Sequence, residues 1–179
     1  MSEQLPPPPP QWLADVVDDI EDFPKPGIGF KDLSPLWRSS SATSRCAVAL
    51  ADGLENVDVV IGIEARGFLA GMIAAQRLGV GFVAARKPGK LPGAIESIEY
   101  DLEYGSDTLE VQAGAIAADD RVVIIDDVIA TGGTAAAAAA LVSRLGGDVV
   151  EIRAVLELMA LEGRAKLRPH RVHSLWEVH

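Results

Sequence analysis

Residues 121–134 read RVVIIDDVIATGGT and join an apolar run, two acids and a loop of small residues. The apolarity of VVII, without any alternation of apolar and polar positions, is typical of a central strand that helices cover on both faces. Residues 134–145 read as a helix, and Gly146 follows where a C-terminal cap is expected. The stretch therefore predicts one strand and one helix of an α/β fold.

Similar apolar runs alternate with helical patterns along the rest of the chain, which predicts a central, mostly parallel sheet flanked by helices. The predicted strands cover residues 57–63, 80–86, 121–127 and 148–158. The predicted helices cover residues 12–20, 42–55, 67–78 and 134–145.

Residues 87–112 interrupt this alternation. They begin with two Pro-Gly turns and continue as two alternating stretches around Tyr104, Gly105 and Ser106, which predict a β-hairpin. Insertions of this size in compact folds are commonly lids over a site. We therefore expect a lid over residues 87–112.

The overall composition predicts one globular domain. The chain has 179 residues, of which 49% are hydrophobic, and we assign residues 11–179 to a single domain. Residues 1–10 end in five consecutive prolines and predict a disordered, extended arm. A docking peptide for a proline-reading partner is the alternative for that arm.

Charge and cysteine content limit the possible partners. The formal net charge of −10 argues against nucleic acid, because duplex binding depends on arrays of Lys and Arg. No apolar run reaches the roughly 20 residues of a membrane-spanning helix. A single cysteine, Cys46, permits no internal disulfide, and a cytoplasmic location is expected.

The loop after the predicted central strand has the features of an anion site. Residues 131–134 can turn successive backbone N–H groups toward a phosphate monoester, and the next helix adds the positive end of its dipole. Asp126 and Asp127 would repel that anion unless they accept hydrogen bonds from the hydroxyls of an attached ribose. An ordinary tight turn is the alternative. The stretch lacks the Lys of a GxxxxGKS loop and has no GxGxxG, so a sugar phosphate fits better than a nucleoside triphosphate or a dinucleotide.

With these residues, the sequence resembles the type I phosphoribosyltransferases, whose signature for phosphoribosyl pyrophosphate is an apolar strand, two acids and A-T-G-G-T. The similarity covers residues 22–178 and is strongest to the adenine-specific members. It also runs through FPKPGIGFKDLSPL, GIEARGFLAG, RKPGKLPG and YDLEYG. The resemblance implies the type I phosphoribosyltransferase fold with a β-hairpin lid, and transfer of the phosphoribosyl group to adenine. It further implies a homodimer, and Mg²⁺ held mainly by the donor and water rather than directly by protein ligands.

The resemblance also implies roles for individual positions. Ribose and 5-phosphate would be bound by Asp126, Asp127, Ala130, Thr131, Gly132, Gly133 and Thr134. Pyrophosphate would be bound by Glu64, Ala65, Arg66, Arg86, Lys87 and Lys90. Adenine would be bound by Gly29, Phe30, Lys31, Val128 and Leu158. Catalysis is assigned to Glu103, which would handle the purine proton, and to the neighbouring Tyr104.

The residues alone leave plainer alternatives for several of these positions. Arg66 could be a solvated arginine at a helix N-terminus, although the helix dipole disfavours that placement. The basic cluster at residues 86–90 could be a solvated loop, and Glu103 could be one of several exposed acids. Phe30, Val128 and Leu158 could be core residues.

Two alternative functions also remain at this point. Gly29 stands where the family commonly has a larger apolar residue, and Lys31 where it often has arginine, so a 6-oxopurine is the second candidate substrate. The other alternative is a non-catalytic sensor of phosphoribosyl pyrophosphate, since an anion loop serves binding as well as turnover.

Overall fold

The computed structural model describes residues 9–101 and 105–179. The strands are β1 (Asp18–Ile20), β2 (Phe30–Asp32), β3 (Val59–Ile63), β4 (Gly81–Ala85), β5 (Ile95–Asp101), β6 (Ser106–Gln112), β7 (Arg121–Ile129), β8 (Asp148–Leu158) and β9 (Val172–Val178). The helices are α1 (Gln11–Ala14), α2 (Ser34–Arg38), α3 (Ser40–Ala51), α4 (Gly67–Leu78) and α5 (Gly133–Leu145). Two 3₁₀ turns, Met159–Leu161 and Gly163–Leu167, lie between β8 and β9.

Five parallel strands form the central sheet in the order β4-β3-β7-β8-β9. Residues 121–129 form the middle strand, β7, as the unbroken apolar run in this stretch predicted. Val122 and Ile124 pack into the core on one face, and Val123 and Ile125 into the core on the other. Each of these four side chains is fully buried, so both faces of β7 contribute to the hydrophobic core.

Different elements cover the two faces of the sheet. Helix α5 and the hairpin formed by β5 and β6 share the first core, which includes Leu109 and Leu141. Helices α1 to α4 share the second core, which includes Leu36 and Leu50. The α/β fold with a parallel sheet, flanking helices and a β-hairpin is therefore confirmed.

One local prediction was wrong, and one strand of the sheet was missed. The helix predicted over residues 12–20 ends at Ala14, because Asp18–Ile20 pairs antiparallel with Phe30–Asp32 instead of continuing the helix. Strand β9 was not predicted, although it pairs in parallel with β8 along the sheet edge. Both errors concern short segments whose partners lie elsewhere in the chain.

Other features of the sequence lie partly outside the described structure. The predicted disordered arm falls mostly on residues 1–8, which are outside the described residues, while the carbonyl of Pro10 accepts hydrogen bonds from the first turn of α1. Over the described ranges, no helix combines the length and the apolarity that crossing a membrane requires.

Candidate active site

A cleft of about 520 Å³ opens at the carboxyl ends of β3, β7 and β8. Open parallel sheets bind ligands at this edge because the loops that follow the strands converge there. Thirteen of the residues predicted for the site line the cleft: Gly29, Phe30, Lys31, Glu64, Ala65, Arg66, Lys87, Asp126, Asp127, Val128, Ala130, Thr134 and Leu158. Ile63 and Leu156 line it as well and were not predicted. The structure thus brings together five stretches that lie far apart in the sequence.

The loop between β7 and α5 consists of small residues, so its backbone groups are accessible to a ligand. Gly132 precedes α5 with a φ of +76°, a conformation that glycine adopts without steric cost. Helix α5 has 13 residues, so its free N–H groups and dipole make the loop electropositive. Ala130 and Thr134 line the cleft, while Thr131, Gly132 and Gly133 complete the turn between them. This arrangement suits a phosphate monoester.

Gly163, which the sequence analysis missed, supports this loop from behind. A Cβ atom placed on Gly163 would overlap the carbonyl oxygen of Ala130, and one placed on Gly132 would overlap the carbonyl oxygen of Gly163. The two backbones therefore approach each other too closely for any side chain. Arg164 holds the turn that contains Gly163, because its guanidinium bonds Glu157 at the end of β8 and, at 2.8 Å, Glu177 of β9.

The acid pair lies beside the loop in a buried environment. Burial and the neighbouring charge of Asp127 raise the pKa of Asp126 well above its usual range, although the backbone N–H of Asp127 donates to Asp126 over 2.8 Å. The side chain of Asp127 is 8% exposed. Its Oδ2 has no hydrogen-bond donor with good geometry among the described residues. A buried carboxylate oxygen without such a donor is suited to a ligand hydroxyl.

Arg66 connects the acid pair to the aromatic side of the cleft. Its Nε lies 2.6 Å from Asp127 Oδ2, and its guanidinium carbon lies 5.6 Å from the centroid of the Phe30 ring. The side chain is half exposed, so it reaches both groups from the mouth of the cleft. Gly67 follows at the start of α4, and a Cβ there would lie 2.6 Å from Asp126 Oδ1. Close packing at Gly67 fixes the turn that carries Arg66.

Glu64 gathers the basic cluster predicted for pyrophosphate. Arg86 donates to its two carboxylate oxygens over 3.3 and 3.4 Å, the backbone N–H of Lys87 donates over 2.9 Å, and the Lys90 ammonium also bonds it. Burial raises the pKa of Glu64, but the hydrogen bonds from Lys90, Lys87 and Arg86 outweigh burial and lower it to about 2. Arg86 and Lys90 stand next to the cleft without lining it. Glu64 therefore organises the cations around the cleft.

The side chain of Lys87 bonds the hairpin, whereas only its backbone N–H bonds Glu64. Its ammonium donates to Asp107 and, over 2.6 Å, to the hydroxyl of Tyr100. Burial lowers the pKa of Lys87, but the hydrogen bonds that it donates to Asp107 and Tyr100 raise it by more. The Tyr100 hydroxyl in turn lies 3.2 Å from Oγ1 of Thr134. Tyr100 and Asp107 were missed, and their cross-strand pairing in the predicted hairpin is the signal that could have found them.

The aromatic side of the cleft is formed by β2 and its neighbours. The Phe30 and Phe23 rings meet edge to face with centroids 5.0 Å apart. The Lys31 ammonium pairs with Asp19 and lies 4.8 Å from the centroid of the Trp176 ring. A Cβ on Gly29 would have nothing within 4 Å, so a larger residue fits at this position. Glycine at position 29, where the family commonly has a larger apolar residue, widens the cleft, although packing does not require a glycine there.

Val128 and Leu158 are the two aliphatic residues predicted to contact the base. Val128 is half-buried on β7, and Leu158 is half-buried at the end of β8. Neither is a fully buried core residue, and both line the cleft. Glu103 and Tyr104, predicted as catalytic, lie outside the described residues.

Comparisons with known proteins agree with this geometry. The family model described as "Phosphoribosyl transferase domain" matches residues 45–174. An adenine phosphoribosyltransferase of Methylococcus capsulatus is 52% identical over 161 residues, which cover 89% of this chain and 94% of that protein. A crystal structure of adenine phosphoribosyltransferase from Thermoanaerobacter pseudethanolicus superposes with a TM-score of 0.89 at 44% identity, covering 94% of this chain and 99% of that one.

A third relative was solved with ligands. The adenine phosphoribosyltransferase of Saccharomyces cerevisiae, complexed with an imino-altritol bisphosphate and adenine, superposes with a TM-score of 0.85 at 41% identity. The match covers 92% of this chain and 97% of that one. The similarity thus extends over nearly the full length of both chains.

Proposed function

The chain belongs to the phosphoribosyl transferase domain family, and we propose that it transfers the 5-phosphoribosyl group of phosphoribosyl pyrophosphate to adenine, giving AMP and pyrophosphate. One observation carries this proposal. A single cleft joins a backbone anion loop, a buried acid pair, a cluster of cations and an aromatic wall. These features correspond to the phosphate, ribose, pyrophosphate and base of the reactants.

The sugar donor would be held by the two anion-binding edges of the cleft. The 5-phosphate accepts hydrogen bonds from the backbone of residues 131–134 and from the hydroxyl of Thr134. The ribose hydroxyls donate to Asp127, whose buried Oδ2 has no well-oriented donor among the described residues. The pyrophosphate lies toward Arg66 and Lys87, on the cationic side.

The reaction exchanges one bond at the anomeric carbon. The N9 nitrogen of adenine attacks C1 of the ribose while the bond from C1 to the pyrophosphate oxygen breaks, and the leaving oxygen keeps the electron pair. Adenine loses its N9 proton, and we assign Glu103 as the base that accepts it, with Tyr104 beside it. Orientation of the two reactants and stabilisation of the departing charge supply the remaining catalysis.

We propose that the base lies between Phe30 and the wall formed by Val128 and Leu158. A flat aromatic base gains from stacking on a phenylalanine ring, and the two aliphatic side chains exclude water from its other face. The backbone at Gly29 and Lys31, which lines the cleft, would read the edge of the base. Since the Gly29 position is open, selectivity for adenine would depend on this backbone rather than on side-chain bulk.

Mg²⁺ fits this site as a companion of the donor. Among the residues described, no three His, Cys, Asp or Glu side chains are grouped so that they could hold a metal ion. Mg²⁺ keeps several waters and is commonly bound by substrate phosphates together with one or two carboxylates. Asp126 and Asp127 would contact it through water or through the ribose hydroxyls. The ion would neutralise charge on the pyrophosphate.

We further propose that the protein works as a cytoplasmic homodimer. Exposed apolar side chains on α3 and α4, namely Val48, Leu69 and Met72, would lie in the contact between the two copies. Helix α4 continues from the site, since it begins directly after Arg66. Light scattering should give twice the monomer mass, and Met72→Asp should shift the protein toward a monomer.

Turnover with individual bases tests the function. The purified chain is incubated with phosphoribosyl pyrophosphate, Mg²⁺ and adenine, hypoxanthine or guanine, and pyrophosphate release is measured. Release with adenine, with AMP as the second product, is the expected result. Release with hypoxanthine or guanine alone would make the chain a 6-oxopurine enzyme, and binding without release would make it a sensor. The relatives described above favour the first result.

A further inference from the structure

A groove of about 220 Å³ runs along β9, the last strand of the central sheet. It is lined by residues 172–177 of that strand, together with Pro9 and Arg164. Successive side chains of a strand point to opposite faces of the sheet, so a groove that touches six consecutive residues follows the edge of the strand. Among the described strands, β9 pairs only with β8, so the groove lies along the free edge of the sheet.

The pairing with β8 decides which backbone groups of β9 face this groove. The N–H of Ile152 on β8 donates to the carbonyl oxygen of Arg171, directly before β9, over 2.9 Å. Backbone groups of alternate residues face alternate sides of a strand, so the odd-numbered residues 173–177 bond β8 in the parallel ladder. The N–H and C=O groups of the even-numbered residues 172–176 then face the groove. A free edge of this kind is open to pairing with a strand of another chain.

The N-terminal segment of the chain leads into the groove. Pro9 lines it, and the carbonyl oxygen of Pro10 accepts hydrogen bonds from the first turn of α1. Leu13 of that helix is fully buried in the core, so the point where the segment meets the folded domain is fixed. Residues 6–8, which lie outside the described range, are also prolines. The run of prolines therefore ends at the free edge of β9.

Proline has the backbone chemistry that a free strand edge can accept. It keeps its carbonyl acceptor but has no N–H, so prolines can receive hydrogen bonds from β9 and offer no donor to a further strand. Four prolines in the polyproline conformation span about 12 Å and turn one carbonyl per three residues to the same side. The N–H groups of Ser174 and Trp176 are about 7 Å apart along the strand, which lies within that reach. Trp176 also lines the groove, and proline-rich segments commonly dock on aromatic side chains.

From these observations we propose that Pro6–Pro9 lie along the free edge of β9 and close the sheet against strand addition by another copy of the chain. The prolines are tethered at the groove, which gives them an effective concentration of about millimolar and favours them over a free partner. Carbonyl oxygens of the prolines accept from the N–H of Ser174, of Trp176 or of both. The inference does not depend on the proposed reaction.

Amide hydrogen exchange followed by NMR tests the proposal one residue at a time. The full chain is compared with a variant that lacks residues 2–8 and keeps Pro9, Pro10 and α1. Exchange at Ser174, at Trp176 or at both should become about fivefold faster in the variant, as for the loss of one hydrogen bond. The N–H groups of His173 and Leu175, which face β8, are the internal control and should exchange at unchanged rates.

A second variant keeps the length of the segment and removes its proline character. Pro6→Gly, Pro7→Ser and Pro8→Gly are combined, and the same faster exchange is expected because flexible residues lose the extended conformation. Protection equal to that of the full chain in this variant would show that the prolines are not what covers the edge. Sedimentation velocity at rising protein concentration should show further association of the deletion variant but not of the full chain.

Three other outcomes would overturn the proposal. Equal exchange at Ser174 and Trp176 in the full chain and the deletion variant would show that the segment does not cover the edge and is free for a proline-reading partner. Protection that depends on protein concentration would place a second copy of the chain on the edge instead. Faster exchange at His173 and Leu175 as well would mean that the deletion loosens the sheet itself.

Discussion

The two edges of the cleft that we propose bind phosphate and pyrophosphate are built in different ways. The phosphate edge consists of backbone groups in the loop from Ala130 to Gly132. This loop packs directly on Gly163 and leads into the N-terminus of α5. The pyrophosphate edge is side chain: Lys87 held by Asp107, and Arg86 and Lys90 held by Glu64. The first edge is fixed by close packing, whereas the second depends on charges that a ligand can rearrange. Because of this difference, we infer that the backbone edge anchors the donor, whereas the side-chain edge can rearrange to release the product.

The largest expected effect concerns Glu103, which lies in the sequence between β5 and β6. Glu103→Ala should lower kcat by about 10²- to 10⁴-fold, the usual range for losing a general base, while the donor still binds. Steady-state kinetics together with calorimetric binding of phosphoribosyl pyrophosphate measure both quantities. Glu99→Ala, on the same hairpin, is the control. Unchanged turnover in Glu103→Ala would remove this residue from the mechanism.

The next largest effect is expected at the backbone edge, where one added methyl group should weaken binding of the donor. In Gly163→Ala the new Cβ would overlap the carbonyl of Ala130, and overpacking of this kind costs about 1–3 kcal/mol. We expect the Kd for the donor to rise about 10- to 100-fold, with the position of the loop disturbed. Gly81→Ala is the matched control, because its Cβ would make only an ordinary contact of 3.8 Å with Val59. Equal donor affinity in both variants would show that Gly163 does not support the loop.

A smaller effect is expected at the acid pair between the two edges. Asp127→Asn keeps the shape but removes the charge that strengthens a hydrogen bond from ribose, so donor affinity should fall about tenfold. The Kd for ribose 5-phosphate, measured by calorimetry, reports this directly. An unaltered Kd would contradict the ribose assignment.

The smallest effect concerns stability of the side-chain edge at low pH. The pKa of Glu64 is lowered to about 2 from an ordinary 4.5, so its ion pairs stabilise the fold above about pH 4.5 and are lost as the pH falls toward 2. Wild type should therefore lose more free energy of unfolding between pH 4.5 and 2 than Glu64→Gln. Urea unfolding across this range measures the difference, with the exposed Glu55→Gln as the control. Parallel curves for wild type and Glu64→Gln would show that the ion pairs do not hold this edge.

The backbone edge was the easier of the two to predict from sequence. Residues 121–145 contain, one after another, the apolar strand, the acid pair, the glycines and the helix, so local patterns alone indicated their structure. Helix α4 was predicted with the bounds that the structure has, and Gly79 ends it in the left-handed conformation expected of a cap. The supporting Gly163 was missed because it is 31 positions from Gly132, and a close approach between distant backbones leaves no periodic pattern.

The side-chain edge was predicted only as a list of residues. The sequence placed Glu64 and the basic cluster near pyrophosphate, but it could not show that Glu64 gathers the cations, since that depends on the register of β3 beside β4. The contact between Tyr100 and Thr134 likewise depends on packing of the hairpin against α5. The register and packing of distant segments determine these contacts, whereas local composition does not.

The central claim is that the loop after β7 holds the phosphate with backbone N–H groups while the adjacent acids hold the ribose. A crystal structure of the chain with phosphoribosyl pyrophosphate and Mg²⁺ tests it most directly. Phosphate oxygens should lie within about 3 Å of the amide nitrogens of residues 131–134, and ribose hydroxyls at the same distance from the carboxylates of Asp126 and Asp127. A donor bound elsewhere, with that loop empty and its N–H groups bonded within the protein, would contradict the account.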